Sequence, residues 1–254
     1  FQLLKIHPLE NDNGVDLSTF GKKTIDWQLA TQIVYGNMGH ISTGQMIGPI
    51  SSCLRDKDMP DFLKSYFMMQ QLQKHYAMIP VEKILYNDNG KLISTSQAII
   101  NDAYRNSQVY IKYKNGLEIF VNRNQEKDWE LNLKGKNYLL PPNGYIGYLS
   151  GKIFEYSCLI DGHRVDYVDS NDYIYCDGRG TRTDFNDIIA AHSYVMRKDT
   201  DTLWLIPAPF QETEIVTLNI VKNAVRVLPY DEDGNEINTP VDYTSSANKV
   251  EIKI

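Results

Sequence analysis

Residues 109–122 read VYIKYKNGLEIFVN. Two runs rich in Val, Ile, Tyr and Phe flank Lys114-Asn115-Gly116, and Asn and Gly accept the positive φ that tight hairpin turns require. The stretch therefore predicts an antiparallel hairpin with strands at 109–113 and 117–121. The same pattern extends outward. Upstream, strands at 81–86 and 92–94 flank Asn87-Asp88-Asn89-Gly90, and only 95–104 interrupts with a helical turn or two. Downstream, strands are expected at 129–133, 138–140, 145–149, 153–160, 164–168 and 173–176, separated by Lys134-Gly135-Lys136, Pro141-Pro142-Asn143-Gly144 and Asp161-Gly162. A Gly/Arg/Thr loop at 177–183 and a short helical patch at 187–190 precede strands at 193–197, 203–207, 214–220, 224–228 and 250–254, with a hairpin turn at 231–235. Turn signals at short, fairly even spacing mark an antiparallel β domain. No fixed-period repeat emerges, which disfavours propellers and solenoids and leaves a β-sandwich by elimination.

Before residue 80 the period is helical. Thr24 is a candidate N-cap with Asp26 in the first turn, and Ile25, Leu29 and Ile33 with Ala30, Val34 and Met38 recur at three to four residues to form one apolar face. Asp58-Met59-Pro60-Asp61 reads as the start of a second helix running to about Met78, with Phe62, Leu63, Tyr66, Phe67, Gln70, Leu72, Gln73, Tyr76 and Ala77 on its buried side and Pro80 beyond its end. Phe1-Gln2-Leu3-Leu4-Lys5-Ile6 is strand-like and has no strand partner nearby in sequence, so its neighbours are expected upstream, in a longer precursor. The polar loop after it contains Glu10-Asn11-Asp12-Asn13-Gly14.

Composition bounds the function. The 254 residues are 42% hydrophobic and 23% charged, an ordinary globular balance. No apolar run approaches the ~20 residues of a membrane-spanning helix. A formal charge of −6 argues against nucleic acid as a partner, because phosphate backbones select a basic surface. Three cysteines without C-x-x-C spacing, Cys53, Cys158 and Cys176, indicate neither a zinc cage nor a disulfide framework, and leave a single Cys158–Cys176 bridge open. Seventeen tyrosines suit strand packing first and sugar stacking second.

Few residues suggest chemistry. If 3–6 is a parallel barrel strand, its carboxyl end puts His7, Glu10 and Asp12 where (β/α)8 enzymes build their sites, although a histidine before proline in an acidic loop is also an ordinary solvated turn. Asp231–Glu236 mimics a calcium loop, but aligning Gly234 with the required glycine places Pro229 and Pro240 at ligand positions, so a hairpin turn is expected. Asp166, Asp169, Asp172 and Asp177 form an acidic run, read first as solvated surface and second as a cation site. His40 and His75 lack a second ligand at metal spacing, so no metal is expected. Gly178-Arg179-Gly180 lacks the strand and helix of a phosphate loop, and no nucleophile-elbow motif is present.

The run 109–122, then Trp129, then YLLPPNGY at 138–145 resembles the β-sandwich that follows the catalytic barrel in large bacterial glycoside hydrolases of the α-glycosidase and endo-α-N-acetylgalactosaminidase-like kind. QIVYGNMGH at 32–40 is similar to the last barrel helix of such enzymes and its glycine-rich exit. The resemblance implies that 1–80 is the end of a (β/α)8-type catalytic domain and 81–254 an antiparallel β-sandwich that braces it, with a division near 177 left open. It implies catalytic carboxylates upstream of Phe1, no cofactor, and no hydrolysis by this chain alone. His7, Glu10 and Asp12 then bind sugar hydroxyls at the cleft rim. The implied partners are a glycan or oligosaccharide and the missing N-terminal catalytic domain, and the implied setting is secreted, periplasmic or on a bacterial surface. Two rivals remain: a non-catalytic carbohydrate-binding module, and a structural module of a surface protein. A binding module exposes a coplanar pair such as Trp129 with Tyr138, whereas a bracing domain buries them.

Overall fold

The computed structural model describes residues 22–39, 59–220, 226–231, 233–246 and 248–254. The fold is mainly antiparallel β with three α-helices among these residues. The helices are α1 (Lys22–Tyr35), α2 (Met59–Tyr76) and α3 (Thr95–Ile100), and a 3₁₀ turn spans Ala103–Asn106. Strands β1 (Val81–Asp88), β2 (Lys91–Ser94), β3 (Gln108–Tyr113) and β4 (Glu118–Asn122) come first. They are followed by β5 (Trp129–Leu133), β6 (Lys136–Leu140), β7 (Tyr145–Leu149), β8 (Ile153–Ile160), β9 (His163–Ser170) and β10 (Ile174–Asp177). The remainder are β11 (Thr183–Asp184), β12 (Ile188–Ala190), β13 (Ser193–Lys198), β14 (Leu203–Pro207), β15 (Ile215–Asn219), β16 (Tyr243–Ser246) and β17 (Lys249–Lys253).

The large sheet runs β14-β13-β10-β9-β8-β7-β4-β3-β1-β2, with the β5–β6 hairpin joined to it through β8. The small sheet runs β11-β12-β15-β17-β16. Strand alternation divides the core in two. From β3, Val109, Ile111 and Tyr113 face α1 and α2, whereas Tyr110 faces away. From β9 and β10, Val168 and Tyr175 join the helical side, while Val165, Tyr167 and Cys176 pack with Ile188, Val216, Leu218 and Val250 of the small sheet. The large sheet is thus covered on both faces, which is why 109–113 and 118–122 read as nearly continuous apolar runs.

The expected stripe Ile25, Leu29, Ala30, Ile33 and Val34 is buried in α1. Met38 lies beyond the helix and is 60% exposed, because α1 stops at Tyr35 and Gly36 turns the chain at φ +64°. Thr24 sits inside the helix rather than capping it. In α2 the buried face is displaced from the expected one. Lys64, Ser65, Met68, Met69, Gln71, Leu72 and Tyr76 are buried, and Tyr66 is exposed. A Cβ on Gly147 would stand 2.7 Å from Leu72 Cδ1, so a glycine in β7 lets α2 approach the sheet.

Three further expectations are corrected. Of the expected helical patch 187–190, Ile188–Ala190 form strand β12, with Ile188 opposite Leu218, because two β-branched residues fit between β11 and β15 better than in a helix. Residues 226–228 are not in a strand. Cys158 and Cys176 are free and buried: β9 lies between their strands and they pair with Val165 and Tyr167 of it, so they stand more than two ladder spacings apart, over about 10 Å, beyond the roughly 7 Å Cα limit for a disulfide. The opening strand 1–6, His7, Glu10, Asp12, His40 and Cys53 lie outside the described residues.

Candidate functional site

Buried charge collects where α1 and α2 meet the large sheet. Asp26 comes from α1, Lys64 from α2, Ser157 from β8, Arg164 and Asp166 from β9, and Arg179 from the loop after β10. Alternation along β9 puts 164, 166 and 168 on the helical face, and register places Ser157 directly opposite Asp166. Lys64 Nζ lies 3.0 Å from Asp26 Oδ1 and 2.9 Å from Asp166 Oδ2. Arg179 reaches both carboxylates, at 2.7 Å to each, and Arg164 lies 3.2 Å from Asp26. The Ser157 hydroxyl donates to Asp166 at 2.6 Å and accepts from Arg164 Nε at 3.0 Å.

Two loops aim the arginines. Arg164 donates to the carbonyls of Pro142 and Asn143 at 2.8 and 2.7 Å. That loop is closed by Gly144, where a Cβ would stand 2.7 Å from Pro141 Cδ and 2.8 Å from the Ser157 carbonyl. Asn122 braces it from beneath, donating to the Leu140 carbonyl at 2.8 Å. Arg179 has φ +52°, and its backbone N–H donates to the Asp177 carboxylate at 2.8 Å. Gly144→Ala is expected to lower stability by about 1–3 kcal/mol through overpacking at backbone atoms that cannot yield; the urea midpoint measures it.

Burial alone would raise the Asp26 carboxyl, yet Lys64, Arg179 and Arg164 hold it down at about 2. Asp166 faces the same opposition from burial, and Arg179 and Lys64 keep it well below the ordinary carboxylate range. Both are ionised acceptors at neutral pH. Asp166 and Lys64 are sealed from solvent, so the cluster serves as a lock between layers and offers no acid–base pair to a substrate. Its charge is unequal: three cations face two carboxylates. Glu155 on the same face of β8 is also fully buried, accepts from the Tyr145 hydroxyl at 2.8 Å and leaves Oε2 without a partner. Burial pushes its carboxyl well above the usual range.

A groove of about 520 Å³ lies at the surface between the β5–β6 hairpin, the β7–β8 turn and the β9–β10 turn. Tyr148, Tyr138 and Phe154 line it with Lys134, Lys136 and Lys152. Lys134 Nζ sits 4.8 Å from the centre of the Tyr148 ring, and Lys136 Nζ 5.4 Å from that of Tyr138. Trp129 is buried against Phe120, and Tyr138 meets Phe154 edge-on at 64°, so the exposed coplanar Trp129–Tyr138 pair of a stacking platform does not form.

Comparison with protein-family models, curated proteins and solved structures finds no match for this chain. The expected acidic run does not act together. Asp166 is in the buried cluster, Asp169 lines the groove, Asp172 pairs with Lys74 at 2.9 Å, and Asp177 holds the Arg179 backbone. No group of three or more His, Cys, Asp or Glu able to hold a metal is found among the described residues. Tyr230 bridges to Glu236, and between them the Asp231 carboxylate accepts from the backbone of Asp233 and Asn235, in keeping with the expected hairpin turn. His75 is half-buried, and burial with Lys152 and Lys74 nearby lowers its pKa. Arg179, which the sequence presents as a failed phosphate loop, is with Lys64 one of two cations that join both carboxylates.

Proposed function

We propose that this chain is the bracing part of a carbohydrate-active enzyme, a glycoside hydrolase acting on a glycan, exported to the periplasm, the cell surface or the medium. In this reading α1 and α2 belong to the end of a (β/α)8-type catalytic domain, and the strands of 81–254 hold them from one side. The observation that carries it is the buried lock from Asp26 and Lys64 on the helices to Arg164 and Asp166 on the sheet and Arg179 in the loop after β10. Apolar packing alone tolerates sliding, whereas paired buried charges fix one orientation of helices on sheet, as a brace for a catalytic domain requires.

Support also comes from where the resemblance falls. Gly116 makes the β3–β4 turn at φ +89°, Asn122 supports the 141–144 loop, and that loop's carbonyls aim Arg164 at Asp26. The resembling residues therefore build the lock. Catalytic carboxylates belong to upstream strands in this reading.

The test uses the full-length gene product on a panel of α- and β-linked aryl glycosides and mucin-type oligosaccharides. Hydrolysis is expected, with Asp166→Asn shortening the half-life of activity at elevated temperature by more than roughly tenfold. A full-length protein inactive on the whole panel, or one whose thermal inactivation ignores Asp166→Asn, overturns the proposal.

A further inference from the structure

We propose that the groove between the β5–β6 hairpin, the β7–β8 turn and the β9–β10 turn binds an anionic oligosaccharide, one bearing carboxylate or sulfate groups. The volume of about 520 Å³ falls within the ~300–1,000 Å³ typical of ligand sites. Charge selects the sign of the ligand. Lys134, Lys136 and Lys152 are exposed and form no ion pair with a described residue, and the one carboxylate in the lining is Asp169. Three cations around one acid, on a chain whose net charge is −6, make this groove an electropositive exception.

The rings select the rest of the ligand. Tyr148 stands between Glu118 and Phe154, its register partners on the two neighbouring strands, and is half-buried there, so its ring is held in place beside the groove. Lys134 and Lys136 rest on the faces of Tyr148 and Tyr138 and, on long flexible stems, can swing from ring to anion. A pyranose ring offers C–H groups to such a face and places an acidic substituent at its edge, within an ammonium's reach. The Asp169 carboxylate and the Asn171 side-chain amide line the groove and supply an acceptor and an amide for sugar hydroxyls. Nucleic acid fits poorly, since three lysines fall well short of the ~6–10 phosphate contacts of a typical binder. The site does not depend on the catalytic reading, because it is complete within residues 133–171.

The experiment is calorimetric titration of the 254-residue chain with tetragalacturonate and with a heparin-derived tetrasaccharide, in about 50 mM salt. Maltotetraose and a single-stranded oligothymidylate are the comparison ligands. At least one acidic sugar is expected to bind with Kd below about 1 mM, and the tighter of the two identifies the preferred anion. Combining Lys134→Asn, Lys136→Ser and Lys152→Ser is expected to weaken that binding more than roughly tenfold without changing the melting temperature, since all three side chains are exposed. Lys134 has φ +53°, a conformation asparagine tolerates, so this substitution adds no backbone strain. Absence of binding by both acidic sugars, equal binding by maltotetraose or the oligothymidylate, or unchanged affinity in the triple variant overturns the proposal. Binding by a chain whose full-length form hydrolyses no glycan upholds this site and removes only the enzyme reading.

Discussion

Asp166→Asn is expected to cost about 3–5 kcal/mol and to lower the melting temperature by roughly 6–20 °C, whereas Lys64→Met is expected to cost less than about 1.5 kcal/mol. The asymmetry follows from counting charge. With Asp166 neutral, Lys64, Arg164 and Arg179 share Asp26 alone, and Lys64, at 1% side-chain exposure, has no access to water. Removing one partner of a buried pair leaves an uncompensated charge, and that accounts for most of the measured loss. With Lys64 replaced, Arg164 and Arg179 still face Asp26 and Asp166, so two charges balance two. Asp26 keeps both arginines and Asp166 keeps Arg179 and the Ser157 hydroxyl. Methionine also retains most of the lysine stem's volume. Urea and thermal unfolding of both variants at neutral pH provide the comparison. A Lys64→Met loss as large as that of Asp166→Asn would show that lysine's geometry, and not the charge balance, holds the layers together.

The strands were legible because each carries its own local signal. Period-two apolar residues bounded by Gly, Asn or Pro place β5, β7, β8 and β14 at the residues expected. Elements without that signal were missed. β11 has two residues and β16 has four exposed ones, so neither shows an alternating pattern. The lock was half-written in the sequence. Asp26 stands on the stripe of Ala30 and Ile33, Lys64 on that of Met68 and Leu72, and Asp166 between the buried Val165 and Tyr167. A charge inside an apolar stripe is a sign of a buried partner. Which charges meet was not legible, because Arg179 lies 153 residues from Asp26 and no local pattern joins them. The expected buried side of α2 omits Lys64, Met68 and Gln71, and grouping Asp166 with Asp169 ignores the alternation that sends them to opposite faces of β9.

Glu155→Gln is expected to raise stability progressively as pH climbs above 4.5 and to change it by almost nothing at pH 4. Burial holds the Glu155 carboxyl well above 4.5, so the folded chain keeps a proton that the unfolded chain releases. A group raised on folding supports the native state fully below its unfolded value, and that support is lost as pH climbs toward the folded value, at about 1.4 kcal/mol per pH unit. Glutamine copies the neutral acid: its oxygen accepts from the Tyr145 hydroxyl, and its amide takes the place of the unpartnered Oε2. The two proteins therefore start level in acid and separate above pH 4.5. The Tyr145 hydrogen bond opposes this trend and burial outweighs it; Asp166 raises Glu155 further, and the buried Tyr145, Tyr76 and Tyr173 are themselves pushed above 10 and stay neutral. Asp26 acts at the other end of the scale. It falls from 3.8 to about 2 on folding, so its contribution, on the order of 2 kcal/mol, is present above pH 3.8 and is lost as pH drops through 2 in both proteins. Urea midpoints at intervals from pH 4 to pH 8 should diverge with a slope that belongs to one proton, and parallel curves over that range would show that Glu155 is ionised in the folded chain and that a charge elsewhere on the helical face sustains it.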